Sequence, residues 1–305
     1  MSKVSKTSKM MSKTSKVWFV TGSARGLGRA LVEGALEAGD RVAATARNPG
    51  RLQDLVDRYG DAVLLLRLDV IDRDAAARAV AEAQQPFGRN DVVVNNAGYS
   101  DLASFEDTTV DSFRTQFDTN FYGVVNVSKA AVPVLREQGS GHIFQVSSLS
   151  VRVSAPGLTA YQAAKWAVAG FSRGLAQEIA PFGVKVTVLE PGGMRTDWAG
   201  SSMTIPQPSV PYRPTIGAFA ELVRANSGHE ATAPRRVAQV VRDLAGRDDA
   251  PVRLLLGTDA VSMAWQAVQE LAASDEDWRE VSLSVSDGTP PTTDALKNLG
   301  TRKGT

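Results

Sequence analysis

The chain has 305 residues, 43% hydrophobic and 22% charged, with 34 basic side chains against 33 acidic ones. That balance belongs to a soluble globular protein large enough for one sizeable α/β domain, and it lacks the basic excess that binds nucleic acid. There is no cysteine and only two histidines, His142 and His229, which excludes disulfides, thiolate zinc sites and cysteine nucleophiles and argues against a histidine metal cluster or a Ser-His-Asp triad.

Residues 1–16 read MSKVSKTSKMMSKTSK. Such a Ser/Lys repeat cannot build a core, so a disordered tail is expected. It lacks the apolar stretch of a secretory signal. Removing its five lysines takes the net charge from +1 to −4 for the remainder, so the folded part is mildly acidic. Beyond the tail, strands and helices alternate. Val17–Val20 is a short apolar strand, residues 27–38 a helix ended by Gly39, and Arg41–Ala46 a second strand. A helix over Leu52–Tyr59 and a strand over Ala62–Leu68 follow. Next come an alanine-rich helix over Ala75–Gln85 and a strand over Asp91–Val94. Val110–Gln138 is one long helical stretch, with Pro133 expected to bend or end it. His142–Val146, Thr159–Ala180, Val184–Leu189 and Val252–Leu256 complete the alternation as strand, helix, strand and strand. Both histidines are expected at the surface or at strand ends. A helix over Asp259–Ala273 then leads into a polar stretch whose last twenty or so residues look frayed.

The strand segments are continuously apolar and not alternating, which marks strands buried on both faces of a parallel sheet. Strand–helix alternation with short links gives an α/β, doubly wound parallel sheet in a single domain. The expected organisation is a tail over 1–16, the domain over 17–260, and a C-terminal helix with flexible tail over 261–305. Such sheets bind ligands at the carboxyl ends of their strands, and each motif in the chain follows a strand or opens a helix.

The first motif, Thr21-Gly22-Ser23-Ala24-Arg25-Gly26-Leu27-Gly28, joins the first strand to the first helix. Gly22 permits a tight turn, Gly26 close approach of a pyrophosphate, and Gly28 close helix packing. The helix start then offers free amides to phosphate. A dinucleotide is expected there. The second strand ends in Thr45-Ala46-Arg47-Asn48, without the carboxylate that binds the ribose hydroxyls of NAD. Arg47, with Arg25 as a second cation, can instead hold a 2′-phosphate. NADP(H) is therefore the preferred cofactor, with NAD(H) the alternative. Tyr161 and Lys165 stand four apart on a helix and share a face. A cation beside a phenol is expected to lower its pKa from about 10 and make it a usable general acid/base.

Thr21-Gly22-x-x-x-Gly26-x-Gly28, Asn95-Asn96-Ala97-Gly98, Asn120, Ser148, Tyr161-x-x-x-Lys165 and Pro191-Gly192 occur in the order and spacing of one family. Over roughly residues 17–260 the chain resembles the classical short-chain dehydrogenase/reductases. The strand ending in Arg47 and the long C-terminal part are similar to hydroxysteroid and retinol dehydrogenase-like members. The resemblance implies a Rossmann fold and a catalytic set of Asn120, Ser148, Tyr161 and Lys165. Tyr161 would be the acid/base, Lys165 would bind the nicotinamide ribose and lower the tyrosine pKa, Ser148 would polarise the carbonyl, and Asn120 would hold a relay water. Asn95 would brace the sheet. Gly22, Ser23, Arg25, Gly26, Leu27, Gly28 and Arg47 would contact the cofactor. So would Asp69 and Val70 at adenine, and Asn96, Ala97, Gly98, Pro191, Gly192 and Thr196 on the nicotinamide side. The family pattern departs at Gln145, where many relatives carry Asn.

The resemblance thus implies hydride transfer between a nicotinamide cofactor and a carbonyl or secondary alcohol, as in a carbonyl reductase, without a metal. Residues 197–228 follow the sixth strand where relatives carry a substrate lid. Trp198, Met203, Ile205, Tyr212, Ile216 and Phe219 would form an apolar cover, and Tyr99 and Leu149 would join Trp198 at the pocket. A hydrophobic small-molecule substrate is expected. No apolar run approaches the length of a membrane span, and the absence of cysteine suits the cytoplasm. Relatives pair through the helices after the fourth and fifth strands, so a homodimer or homotetramer is implied. The alternatives are an NAD-linked alcohol dehydrogenase and a non-catalytic NADP-sensing regulator of the same fold.

Overall fold

The computed structural model describes residues 15–198 and 203–288. Most of the Ser/Lys tail, residues 199–202 of the expected lid, and residues from 289 onward lie outside the described residues. Ser15 and Lys16 lead into the first strand and are bonded to the segment that opens the second. The Ser15 hydroxyl donates to the Gly39 carbonyl at 2.9 Å, and the Lys16 N–H to Asp40 Oδ1 at 3.0 Å.

Seven strands form one sheet: β1 Val17–Val20, β2 Arg41–Ala46, β3 Val63–Arg67, β4 Val92–Asn95, β5 Gly141–Val146, β6 Val184–Pro191 and β7 Arg253–Leu256. Their order is β3-β2-β1-β4-β5-β6-β7, and every neighbouring pair is parallel. The doubly wound parallel sheet expected from the sequence is the one observed. The strand order reverses between β1 and β4, so a crevice opens above their carboxyl ends.

The uninterrupted apolar runs are explained by two cores. Trp18, Val20, Val42, Ala44, Val92, Val94, Phe144 and Leu189 face one layer. That layer holds α1 (Gly26–Glu37), α2 (Gln53–Tyr59) and α8 (Pro234–Ala245). Val17, Phe19, Ala43, Val93, Ile143 and Val186 alternate with them and face α3 (Arg73–Phe87), α5 (Gly123–Gln138) and α6 (Thr159–Ile179). Side chains on a strand alternate by face, so a strand covered on both sides can be apolar at successive positions. The helix α4 is Val110–Phe117 and α7 is Ala218–Asn226.

Two local expectations are corrected, and His142, at a strand start as expected, is buried there and not at the surface. Pro133 lies inside α5, which runs on to Gln138. The stretch from Val110 to Gln138 is interrupted instead at Asp118–Tyr122, where one π-helical turn joins α4 to α5. His142 is fully buried in β5, stacked on Phe144 with ring centroids 3.9 Å apart. The Thr187 hydroxyl donates to the Pro251 carbonyl, so His142 Nε2–H must donate to Thr187 Oγ1 at 2.9 Å. Burial, with Lys185 and Lys16 adding to it, pushes the His142 pKa down to about 3. It is a neutral core side chain and takes no part in a triad.

The chain divides into two compact units, residues up to Ala264 and residues from Trp265 on. The sheet and all the motifs lie in the first. The described part of the second consists of the remainder of α9 (Thr258–Asp277) and the short α10 (Arg279–Leu283).

Candidate active site

The glycine turn is built from the sheet upward. Gly22 adopts φ +67° and Gly26 φ +55°, conformations in which a side chain is strained. A Cβ on Gly28 would overlap the Gly22 carbonyl and the Asn96 amide, so only glycine lets α1 approach this closely. Thr21 and Asn96 brace the turn across β4. Asn96 Nδ2 donates to the Thr21 carbonyl at 2.9 Å, and the Asn96 and Ala97 N–H groups donate to Thr21 Oγ1. Arg25 sits in extended backbone at the start of α1, which has no side-chain cap and no acid in its first turn. Its first amides are therefore uncommitted to any side chain, as an anion-binding helix end requires. Thr196, from the turn after β6, lies over Gly26, within 3.5 Å of where a Cβ would be.

Arg25 and Arg47 are exposed, and among the described residues neither forms an ion pair. Arg47 acts electrostatically on the Tyr99 phenol, where it opposes the upward push of burial and Asp101. The Ser23 side chain is committed within the protein. It is fully buried, and its hydroxyl donates to the Val20 carbonyl at 2.9 Å, so it ties the turn to β1. Asp69 is half-buried and accepts from the Ile71 N–H. Val70 is buried against Gly123 at the start of α5.

The four expected catalytic residues converge at the carboxyl ends of β4 and β5. Tyr161 and Lys165 lie on α6, 7% and 4% exposed. Lys165 Nζ donates to the Val146 carbonyl at 2.9 Å and stands 5.5 Å from the Tyr161 ring centroid. Ser147 Oγ donates to the Lys165 carbonyl, which fixes α6 to the end of β5. Ser148 opens a short 3-10 turn over Leu149–Val151 and accepts from the Ser150 N–H at 3.1 Å. Asn120 is fully buried in the π turn. Its Nδ2 donates to the Tyr99 and Gln116 carbonyls, both at 2.8 Å, while its Oδ1 has no protein partner. A Cβ on Gly98 would meet Asn120 Oδ1 at 2.6 Å and Lys165 Nζ at 3.4 Å. The missing side chain of Gly98 thus keeps open the gap between amide oxygen and ammonium. The π turn widens the helix at Asn120, and the Asn120 amide bonds back to the Gln116 carbonyl one turn earlier.

Electrostatics correct one expectation. In the chain by itself the Tyr161 pKa is not lowered. Burial raises it to about 12, with a hydrogen bond to Ser148 working the other way. Burial likewise lowers Lys165 to about 8. Desolvation disfavours the charged form of each, and the ammonium, turned toward the Val146 carbonyl, does not reverse the effect at the phenol.

The segment after β6 borders this site through Trp198. Trp198 lies with its ring 5.5 Å from that of Tyr161. Met203, Ile205, Tyr212, Ile216 and Phe219 pack with it on Leu102 and Leu158, so the six side chains expected to form an apolar cover are in one cluster. The Leu102 N–H donates to the Thr204 carbonyl at 2.9 Å and the Tyr212 hydroxyl to Glu106 at 2.8 Å. Leu149 is buried with Ala260 and Ala264 of α9. Tyr99 is half-buried beside Gly98.

The model of the short chain dehydrogenase family matches residues 16–204. The chain belongs to that family. The oxidoreductase BOA17 of Botryotinia fuckeliana is 56% identical over 270 residues, covering 88% of this chain and 98% of its own. A short-chain dehydrogenase from Streptomyces avermitilis superposes with a TM-score of 0.84 at 36% identity, over 90% of this chain and 100% of its own. The alcohol dehydrogenase from the archaeon Thermococcus sibiricus, solved with 5-hydroxy-NADP, gives 0.65 at 26% identity, over 79% and 95%. This short-chain dehydrogenase is thus an oxidoreductase with the Rossmann-type fold of its family. Among the described residues, no helix is long and apolar enough to cross a membrane.

Some residues of this short-chain dehydrogenase that shape the site carry no motif. Glu190, at the end of β6, is 0% exposed and accepts from Arg152 Nε at 2.9 Å and from Arg253 on β7. It ties the segment just past Ser148 to the strand that ends in Pro191. Asn95 Nδ2 donates to Gln145 Oε1 at 2.8 Å and to Ser128 on α5. Gln145, the departure from the family pattern, therefore has a bracing partner. Asp259 accepts from the Gly193 N–H. Asn95 braces the sheet as its motif implied, whereas no local spacing announces the pairs made by Glu190 and Asp259.

Proposed function

We propose that this short-chain dehydrogenase uses NADP(H) to interconvert an apolar ketone or aldehyde with the corresponding alcohol. The observation that carries the reading is one contiguous set of side chains: Asn120 and Lys165 meet at Gly98, Lys165 stands beside the Tyr161 ring, Ser148 hydrogen-bonds the phenol, and Trp198 packs against it. The glycine turn, the uncapped start of α1 and the unpaired Arg25 and Arg47 fit a dinucleotide bearing a 2′-phosphate. Lys165 and the turn at Pro191, Gly192 and Thr196 would hold its nicotinamide end. When bound, the nicotinamide supplies or takes up the hydride.

The residues of the chain do the rest. Ser148 and Tyr161 donate hydrogen bonds to the substrate oxygen and stabilise the charge that develops there. A phenol kept protonated by burial is a proton donor across neutral pH, which suits carbonyl reduction, and it gives its proton to the new alkoxide. The buried Asn120 oxygen facing Lys165 offers a seat for a water that resupplies that proton. The Trp198 cluster excludes bulk water and favours an apolar substrate. The aromatic side chains Phe117, Phe121, Tyr122 and Phe171 where α4, α5 and α6 meet, with Tyr122 half-exposed, fit a homo-oligomer formed through these helices.

Purified protein mixed with NADPH or NADH and a panel of apolar ketones and aldehydes tests the reading. Faster consumption of NADPH, dependent on the carbonyl, is the expected result. Tight NADPH binding without turnover on any carbonyl or alcohol would favour a regulatory protein instead.

A further inference from the structure

The turn after β6 is held by bonds from far along the chain. The Gly192 N–H donates to the Leu256 carbonyl at 3.0 Å, and the Arg195 N–H to the Thr232 carbonyl at 3.0 Å. The Gly193 N–H donates to Asp259 Oδ2 at 2.7 Å. The first two are backbone to backbone. The third depends on one side chain in the first turn of α9, well beyond the stretch that the family model matches. Space is reserved for that carboxylate. A Cβ on Gly192 would fall inside it, and one on Gly257 would meet Oδ1 at 2.6 Å. Gly257 also has φ +116°.

Two further observations tie Asp259 to the site. Its Oδ1 is buried without a partner; an acceptor left unsatisfied is disfavoured, which a plain surface tether has no reason to tolerate. The next residue, Ala260, is fully buried against Leu149, which follows Ser148. The first turn of α9 therefore touches both walls of the cleft, the Gly192–Gly193 turn through Asp259 and the Ser148 segment through Ala260.

We propose that Asp259 is a positioning residue, which holds the Gly192–Gly193 peptide in register with the Ser148 segment and so sets the place of the cofactor's nicotinamide end. The proposal rests on the NADP(H) reading above. Asp259 touches no reacting atom and acts through the turn.

Equilibrium titrations of the full chain with NADPH and with 2′,5′-ADP, which has the 2′-phosphate but no nicotinamide, test it. Asp259→Ala is expected to weaken NADPH about tenfold, the size of one lost charge-assisted hydrogen bond, and to leave 2′,5′-ADP within about twofold. Asp259→Asn keeps an acceptor of the same shape and should return NADPH binding to within about threefold of the parent. Asp259→Glu keeps the charge but does not fit between the glycines, and should bind NADPH more weakly than Asp259→Asn. Equal weakening of both ligands, no weakening of either, or a Glu variant better than the Asn variant would each overturn the proposal. If Asp259→Ala does not fold, the order of the Asn and Glu variants still decides. A parent chain that binds neither ligand overturns the cofactor reading, and the proposal with it. A parent that binds both, with variants that behave alike, overturns the proposal alone.

Discussion

Lys165 shows how one buried side chain serves the site against the fold. Its ammonium is almost fully removed from water and has one protein partner, the Val146 carbonyl. Burial lowers its pKa from 10.5 to about 8. Below pH 8 the group is charged both folded and unfolded, and the folded state bears the desolvation. Between about 8 and 10.5 the folded chain has released the proton while the unfolded chain still binds it, so stability rises with pH in that window. Lys165→Met should therefore stabilise the protein at pH 7, by on the order of 1 to 3 kcal/mol, with the advantage fading by about pH 10.5. Denaturant melts of both proteins at pH 7 and pH 10 check this, and a methionine variant less stable at pH 7 would contradict it. Arg47 supports a second prediction at this scale. Arg47→Asp replaces a free guanidinium by a like charge to phosphate, and should weaken NADPH by about 10- to 100-fold while sparing NADH. Fluorescence titration with each cofactor checks it; an unchanged NADPH affinity would remove Arg47 from the 2′-phosphate site.

At the scale of elements, the site is a set of strand ends joined by short turns. The glycine turn was legible because its requirements are local. Gly22 needs a positive φ, and Gly28 must let α1 lie against the Gly22 carbonyl. Gly28→Ala should displace α1, cost about 1 to 3 kcal/mol of stability and weaken the dinucleotide. Thermal melting and NADPH titration read both effects, and a variant matching the parent in both would show that the close approach is not needed. The π turn at Asp118–Tyr122 was not legible, because nothing in Asp-Thr-Asn-Phe-Tyr differs from ordinary helical sequence. Its cause is tertiary: Asn120 reaches the Tyr99 carbonyl as well as that of Gln116. Pro133 misled for a related reason. A proline inside a helix is disfavoured on its own, yet α5 is held by Val127, Ala131 and Leu135 in the core beneath it, and packing outweighs the local preference.

Over the whole molecule, the parallel sheet could be read from the sequence because burial on both faces leaves strands apolar without alternation. The order of the motifs then located the site at the carboxyl ends. The environment of the site was not legible. The raised pKa of Tyr161 arises from burial, and Trp198, which packs against its ring, lies 37 positions away in the sequence. The braces at Glu190 and Asp259 pair residues dozens of positions apart, and isolated acids look alike in a sequence. The C-terminal part thus does more than extend the core, since β7 and the start of α9 hold the turn that the proposed nicotinamide site needs.

Tyr161 is the one group that the proposed chemistry cannot spare. Removing its hydroxyl keeps the ring that packs against Trp198 and takes away the proton donor. The decisive comparison is NADPH-dependent ketone reduction by the parent and by Tyr161→Phe, with NADPH affinity measured on both. Turnover reduced by about a thousandfold or more, with NADPH affinity within a few-fold, is the predicted result. A Tyr161→Phe protein that reduces the ketone as fast as the parent would contradict the assignment of this site as the place of proton transfer.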